Sequence, residues 1–150
     1  MAEATHHVRA FQQADWPAWL RLSQALFPHA TAGDLEAGMR EFIARDDAAV
    51  FVAVRENGAV CGFVEAGSRP YADGCDSSPV GYIEAWYVEA DVRRLGLGRA
   101  LLEAAESWAR SRGYREMASD ALLDNAVSHQ AHLGAGYHEV ERVIQYRKPL

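Results

Sequence analysis

The spacing of apolar and polar positions changes several times along the chain, and each change marks an element. His6 to Phe11 alternates as a short strand. From Trp16 onward Trp19, Leu20, Leu26 and Phe27 recur at helical spacing, with Asp15 placed as N-cap, Pro17 in the first turn and Pro28 as the stop. The bland role of that aromatic stripe is core packing, with Phe27 at its end open to a ligand. A second helix is expected over Asp34 to Arg45, where Leu35, Met39, Phe42 and Ile43 form one narrow apolar face. The runs Val50 to Val54 and Val60 to Val64 then flank Asn57-Gly58, a hairpin signal because both turn positions tolerate positive φ.

Gly67 to Pro79 reads as a polar loop holding Arg69, Tyr71, Asp73, Cys75 and Asp76. Tyr82 to Val88 follows as an apolar, aromatic strand, and a strict period of two puts Tyr82, Glu84, Trp86 and Val88 on one face and Ile83, Ala85 and Tyr87 on the other. After the turn Arg93 to Gly98 a helix runs to about Arg112, with Leu101, Leu102, Ala105, Trp108 and Ala109 inward and Gly113 just past its end. A strand over Arg115 to Asp120 comes next. A short helix from Asn125 to Leu133, capped by Asp124 and closed by Gly134 and Gly136, leads to a final strand pair, Tyr137 to Val140 and Arg142 to Tyr146.

Composition adds bounds to this pattern. The 150 residues suit one domain, 1–150, that buries roughly 70% of its unfolded surface. With 49% hydrophobic and 24% charged residues the chain is ordinary for a globular protein, and no stretch reaches the ~20 apolar residues of a membrane span. Met1 to Val8 lacks the basic start and apolar core of a secretory signal, so a cytoplasmic location is the default expectation. Cys61 and Cys75 are too few for a disulfide framework and read as free thiols, Cys61 within a strand. A formal net charge of -6 argues against nucleic acid and admits a cationic partner. His6, His7 and His29 show no ligand spacing, and no metal is expected.

The chemistry concentrates where the apolar strand meets the glycine turn. Unpaired N–H groups at a helix start favour a phosphate or pyrophosphate, and neighbouring arginines strengthen the attraction. Gly96-Leu97-Gly98 invites a dinucleotide-binding reading, with Asp120 about 20 residues downstream as its acidic partner. That reading fails, because Leu101 stands where the third glycine belongs and too few strand–helix alternations follow. A P-loop is excluded, since the one lysine of the chain is Lys148.

Glu84 is an ionisable group in the middle of a central strand. Burial of a carboxylate is costly, so either a partner holds Glu84 or it opens onto a cleft. Asp120 lies at a carboxyl strand end, where α/β sheets place ligands, or else it caps the next segment.

Arg93-Arg94-Leu95-Gly96-Leu97-Gly98 resembles the pyrophosphate loop of the GCN5-related N-acetyltransferase superfamily, and the order of elements along the chain is similar to that superfamily throughout. Within it, Tyr71 to Pro79, Arg115 to Asp120 and Glu141 to Lys148, together with Glu84, resemble the aminoglycoside 6'-N-acetyltransferases. The resemblance implies an α/β (α+β) fold in which helices flank a mixed central sheet with splayed central strands. It implies acetyl-CoA as cosubstrate, held by Arg93, Arg94, Leu95, Gly96, Leu97, Gly98 and Arg99, by the backbone of Trp86, Tyr87 and Val88, and by Asn125. It implies a cationic aminoglycoside as substrate, held by Phe27, Tyr71, Asp73, Asp76, Glu84, Asp120 and Glu141, with direct transfer of acetyl to the 6'-amine as a resistance activity. Glu84 and Asp120 are the implied proton acceptors.

The superfamily often carries a tyrosine general acid in the Asn-led helix. Here that position is His132, which either serves as the acid or is a packed or solvated helix residue. Glu141 is placed by the resemblance at the interface of a homodimer. The alternatives are an N-acetyltransferase for a polyamine or a protein N-terminus, and a non-catalytic acyl-CoA module.

Overall fold

The computed structural model describes residues 5–150. The N-terminal reading of Met1 to Ala4 lies outside these residues. Five strands form one sheet: β1 His7–Ala10, β2 Ala48–Val54, β3 Val60–Arg69, β4 Val80–Val88 and β5 Met117–Ser119. Their spatial order is the chain order, and each neighbouring pair is antiparallel except β4 and β5, which are parallel. Helices α1 Trp16–Leu26 and α2 Ala32–Ile43 cover one face, while α3 Leu97–Ser111 covers the other; α4 Ala126–Gly134 follows β5. This is the mixed, helix-flanked sheet the sequence led us to expect. Among the described residues no helix is long and apolar enough to cross a membrane.

The two cores follow from the apolar stripes. Leu97, Leu101, Leu102 and Ala105 of α3 pack on Cys61, Val64, Ala66 and Ile83. On the opposite face Trp19 and Leu22 of α1 and Met39 of α2 pack on Val50, Val52 and Phe63. Trp19 is fully buried, and a side chain of that size contributes about 3 kcal/mol or more through the apolar area it removes from water.

Several local readings need correction. Asp15 does not cap α1 with its side chain; it lies in a 3₁₀ turn, where its carboxylate accepts from both Arg9 guanidinium nitrogens at 2.7 and 2.9 Å and from the Gln12 N–H. The α2 cap is Thr31, whose hydroxyl accepts from the Asp34 N–H. In the hairpin Gly58 has positive φ and Asn57 does not, and the register slips between Ala53 and Val54. Asn125, not Asp124, caps α4 by accepting from the Ser128 N–H. Strand β3 runs on to Arg69, so Arg69 belongs to the sheet and the loop begins at Pro70.

The largest correction is at the C-terminus. The expected strands Tyr137 to Val140 and Arg142 to Tyr146 are absent, and residues 138–150 are exposed without regular structure. A strand is made by pairing, and no strand of the sheet pairs with this segment, although β5 leaves one edge open and residues 137–143 line the same cleft as β5.

Candidate active site

Two features of β4 build the site. The register pairs Glu65 with Ala85 and Ala66 with Ile83, so Glu84 is an extra residue opposite no partner, a β-bulge. One inserted residue reverses the side-chain alternation. Ile83, Trp86 and Val88 therefore face the α3 core, whereas Ala85 and Tyr87 face α1 and α2. The strict period of two had grouped Glu84 with Trp86, and the bulge separates them by turning Glu84 to the α2 side.

The second feature is a split in the sheet. β5 pairs with β4 only from Gly81 to Ile83, opposite Met117 to Ser119, so beyond Ile83 one edge of β4 continues without a neighbouring strand. The splayed central strands expected from the sequence are this divergence. At the far end of the open edge stands the glycine turn. Arg94 and Gly96 have positive φ (67° and 81°), and the curl they make delivers the chain into α3 at Leu97. The Trp86 indole N–H donates to the Gly98 carbonyl at 3.1 Å, and a Cβ on Gly98 would meet the Trp86 ring at 3.2 Å. The missing side chain lets the start of α3 lie against the Trp86 ring.

Not every arginine of the turn points outward. Arg93 Nε donates to the Val88 carbonyl at 2.9 Å, and Arg99 donates to the Gly134 carbonyl at the end of α4. Arg94 makes no side-chain hydrogen bond among the described residues and is exposed, as are Leu95 and Gly96. Asn125 uses its side-chain oxygen for the α4 cap.

Glu84 has both a partner and a cleft. Its two oxygens accept from Arg69 Nε and Nη2 at 2.9 and 2.8 Å, a two-pronged pair that leaves the carboxylate 23% exposed. The Arg69 guanidinium stacks 3.5 Å from the centre of the Tyr82 ring, and the Tyr82 hydroxyl donates to Asp120. Burial, with the Asp120 bond second, pushes the Tyr82 hydroxyl well above the ordinary phenol range. Glu84, Arg69, Tyr82 and Asp120 thus form one connected polar chain. Arg69 and Tyr82 were not singled out in the sequence, since Arg69 read as loop and Tyr82 only as one of the residues on the Glu84 face of an apolar strand.

The two proposed proton acceptors do not line one cavity. Asp120 borders a cleft of about 700 Å³ together with Asp73, Ser119, His132 and Glu141. Glu84 borders a groove of about 360 Å³ between α1, α2 and the sheet, together with Phe27 and Glu65. The polar chain joins one to the other. Tyr71 donates to Asp73 at 2.7 Å on the exposed loop, and Asp76 and Ser77 give their N–H groups to Glu116, which anchors that loop.

His132 is held on both sides. Its Nδ1 lies 2.7 Å from the Ser128 carbonyl, which only accepts, so Nδ1 carries the proton of the neutral ring; Nε2 then accepts from the Ser119 hydroxyl at 2.8 Å. The ring meets Trp86 edge-on.

Glu65 is a further residue that sequence reasoning passed over. The Trp19 indole N–H donates to one of its oxygens at 3.0 Å. Burial pushes its carboxyl up to about 7; the Trp19 bond opposes the rise and nearby Glu84 adds to it. The folded protein therefore keeps this proton at pH values where the unfolded chain has lost it. That imposes a stability cost of about 3 kcal/mol at most, which grows as pH rises through the carboxylate range and is complete above about 7.

Comparison with known proteins places this geometry. The acetyltransferase (GNAT) family profile matches residues 9–137. An aminoglycoside N(6')-acetyltransferase type 1 of Klebsiella aerogenes is 43% identical over 95% of this chain and 96% of its own. One of the same name from Stenotrophomonas maltophilia is 40% identical over 95% and 93%. Among solved structures, AAC(6')-Iy in complex with the bisubstrate analogue CoA-S-monomethyl-acetylneamine superposes with a TM-score of 0.89 at 34% identity, covering 97% of this chain and 99% of that one.

Proposed function

Since the chain belongs to the acetyltransferase (GNAT) family, we propose that it transfers acetyl from acetyl-CoA to the 6'-amine of aminoglycosides, an activity that confers resistance. The observation that carries this reading is likeness over almost the whole of both chains, at 43% identity, to an enzyme named for that activity. The activity occupies one domain over residues 1–150 and is cytoplasmic.

The residues present fit the cosubstrate. The open edge of Trp86, Tyr87 and Val88 offers backbone groups to an extended chain. The first turn of α3, from Leu97 to Arg99, offers unpaired N–H groups to a pyrophosphate, with Arg94 and Gly96 shaping the approach. Acetyl-CoA supplies the acetyl thioester there. An aminoglycoside amine arrives as an ammonium ion and has to lose a proton before it is nucleophilic; Glu84, set out by the bulge, takes that proton directly or through water. Arg69 balances the Glu84 charge in the resting site, and the Tyr82 hydroxyl ties Asp120 into the same chain. Asp120, Asp73, Asp76, Glu141, Tyr71 and Phe27 receive the rest of the polycation. His132 stands beside Trp86 as the candidate to return a proton to the departing sulfur; it can do so only as the imidazolium, whose Nε2–H donates to the Ser119 hydroxyl while that hydroxyl passes its own proton outward.

The assay that tests the reading uses kanamycin-type sugars. A 6'-amine sugar is expected to be acetylated and its 6'-hydroxyl analogue to be left unmodified, with mass mapping placing the acetyl group at N6'. Equal rates on the two would overturn the regiospecific assignment.

The protein acts as a homodimer in which residues 138–150 lie on a second copy. Val140, Val143, Ile144 and Tyr146 are between 64% and 89% exposed along an alternating segment, an arrangement that calls for a partner edge. Light scattering on the full chain is expected to give twice the chain mass, and truncation after Tyr137 is expected to give a monomer. A monomeric full chain would refute this assembly.

A further inference from the structure

The glycine turn has little of its own to hold it in place. Leu95 is exposed, Arg94 makes no side-chain hydrogen bond among the described residues, and no atom lies within 4 Å of the place a Gly96 Cβ would take. Its position is therefore inherited from its two flanks. Downstream, Leu97 is buried in the α3 core and the Trp86 indole holds the Gly98 carbonyl. Upstream stands the 3₁₀ turn Ala90–Val92, in which only Val92 is buried. The polar side of that upstream flank is gripped by Arg55, a residue with no part in the chemistry above. Arg55 directly follows β2, and its N–H donates to the Ala59 carbonyl at 2.7 Å, which fixes it at the mouth of the β2–β3 hairpin. Its guanidinium donates to both Asp91 oxygens at 2.8 Å and to Glu89 at 3.2 Å. Arg21 of α1 donates to the other Glu89 oxygen at 3.1 Å and to the Val60 carbonyl.

Two guanidinium groups and two carboxylates thus tie α1, the hairpin and the exit of β4 together. They do so on the β3 side of β4, where the Glu89 N–H extends the ladder by donating to the Cys61 carbonyl at 2.9 Å, opposite the open edge. An isolated exposed ion pair adds little to stability, and a network built on a two-pronged arginine adds more. Its larger effect here is local, because the segment it fixes leads straight into the turn. The network also balances the charges of Glu89 and Asp91, which would otherwise oppose an anion bound just downstream. We infer that Arg55 is a positioning residue for acetyl-CoA: by holding Asp91 and Glu89 it fixes where β4 hands over to the glycine turn, so that the N–H groups beyond the turn are in place before the pyrophosphate arrives. The inference rests on the assignment of that turn to the cosubstrate and names what holds it.

Calorimetric titration of the full chain with coenzyme A, paired with steady-state kinetics, tests this. Arg55→Ala is expected to raise the Kd for coenzyme A and the KM for acetyl-CoA about tenfold, while kcat at saturating acetyl-CoA stays within a factor of two. Arg55→Lys keeps the charge without the planar fork, and a rise of about threefold is expected. Because Arg55 and Asp91 act as a unit, adding Asp91→Ala to Arg55→Ala should weaken binding no further. Arg9→Lys is the control for general destabilisation: it loosens the two-pronged pair with Asp15, outside this network, and should lower the thermal midpoint without moving the Kd. A wild-type Kd in Arg55→Ala, a loss in kcat at unchanged KM, or an equal rise in Kd in Arg9→Lys would overturn the positioning role and leave the turn as the cosubstrate site. A wild-type Kd for coenzyme A in Gly96→Val as well would overturn both.

Discussion

Glu84→Gln is expected to lower kcat for a 6'-amine aminoglycoside by about 10²–10⁴-fold, the range associated with loss of a positioned general base. Glutamine keeps the shape of the side chain and one acceptor oxygen, but it takes no proton near neutral pH and carries no charge to balance Arg69, whose guanidinium is bound through both nitrogens. The proposed acetyl-CoA surfaces, on the open edge beyond Glu84 and at the start of α3, are untouched. Titration with acetyl-CoA should therefore give a wild-type Kd while turnover collapses. If kcat is retained within a factor of two or three, Glu84 serves substrate binding alone and the proton acceptor lies elsewhere, Asp120 being the next to test.

The second large effect is expected at Gly96. No atom lies within 4 Å of the place where a Cβ would be, so a side chain meets no steric obstacle; the difficulty is its φ of +81°. A β-branched residue in that region costs about 1–3 kcal/mol, and the simplest relief is for the turn to swing away and misplace the N–H groups that follow. Gly96→Val is expected to weaken acetyl-CoA binding about 10- to 100-fold, whereas Gly96→Asn, which tolerates the left-handed region, should stay close to wild type. Equal loss in both variants would point to side-chain volume instead of backbone conformation. Wild-type affinity in Gly96→Val would remove the turn from the cosubstrate site.

The glycine turn was legible in the sequence because its chemistry is local: a strand period ends, a helix period begins, and glycine stands where positive φ is required. The helices and the β2–β3 hairpin were legible for the same reason. The bulge was not. An extra residue is visible only by comparing two strands, and β4 taken alone obeys a period of two, which grouped Glu84 with Trp86. Arg69 was hidden because the loop was read from Gly67, three residues before β3 ends. Glu65 follows directly on the apolar run Val60 to Val64 and was not singled out; its burial comes from α1, which covers it with Trp19. At the C-terminus the pattern of residues 137–146 was read as strand, yet pairing depends on a neighbour that no single chain's periodicity reveals.

The strand order also bears on how the molecule assembles. β2, β3 and β4 follow one another as neighbours in sequence and in space, so each can zip onto its predecessor with a modest loop-closure cost, a condition that favours rapid folding. β5 has to wait for α3 to cross over the sheet, as β1 and β2 have to wait for α1 and α2, and it then secures just three residues of β4. The open edge of β4 proposed for the cosubstrate is thus the seam between a locally zipped part of the chain and a non-local closure, and hydrogen exchange at Glu84 to Val88 should report on that seam separately from the hairpins behind it.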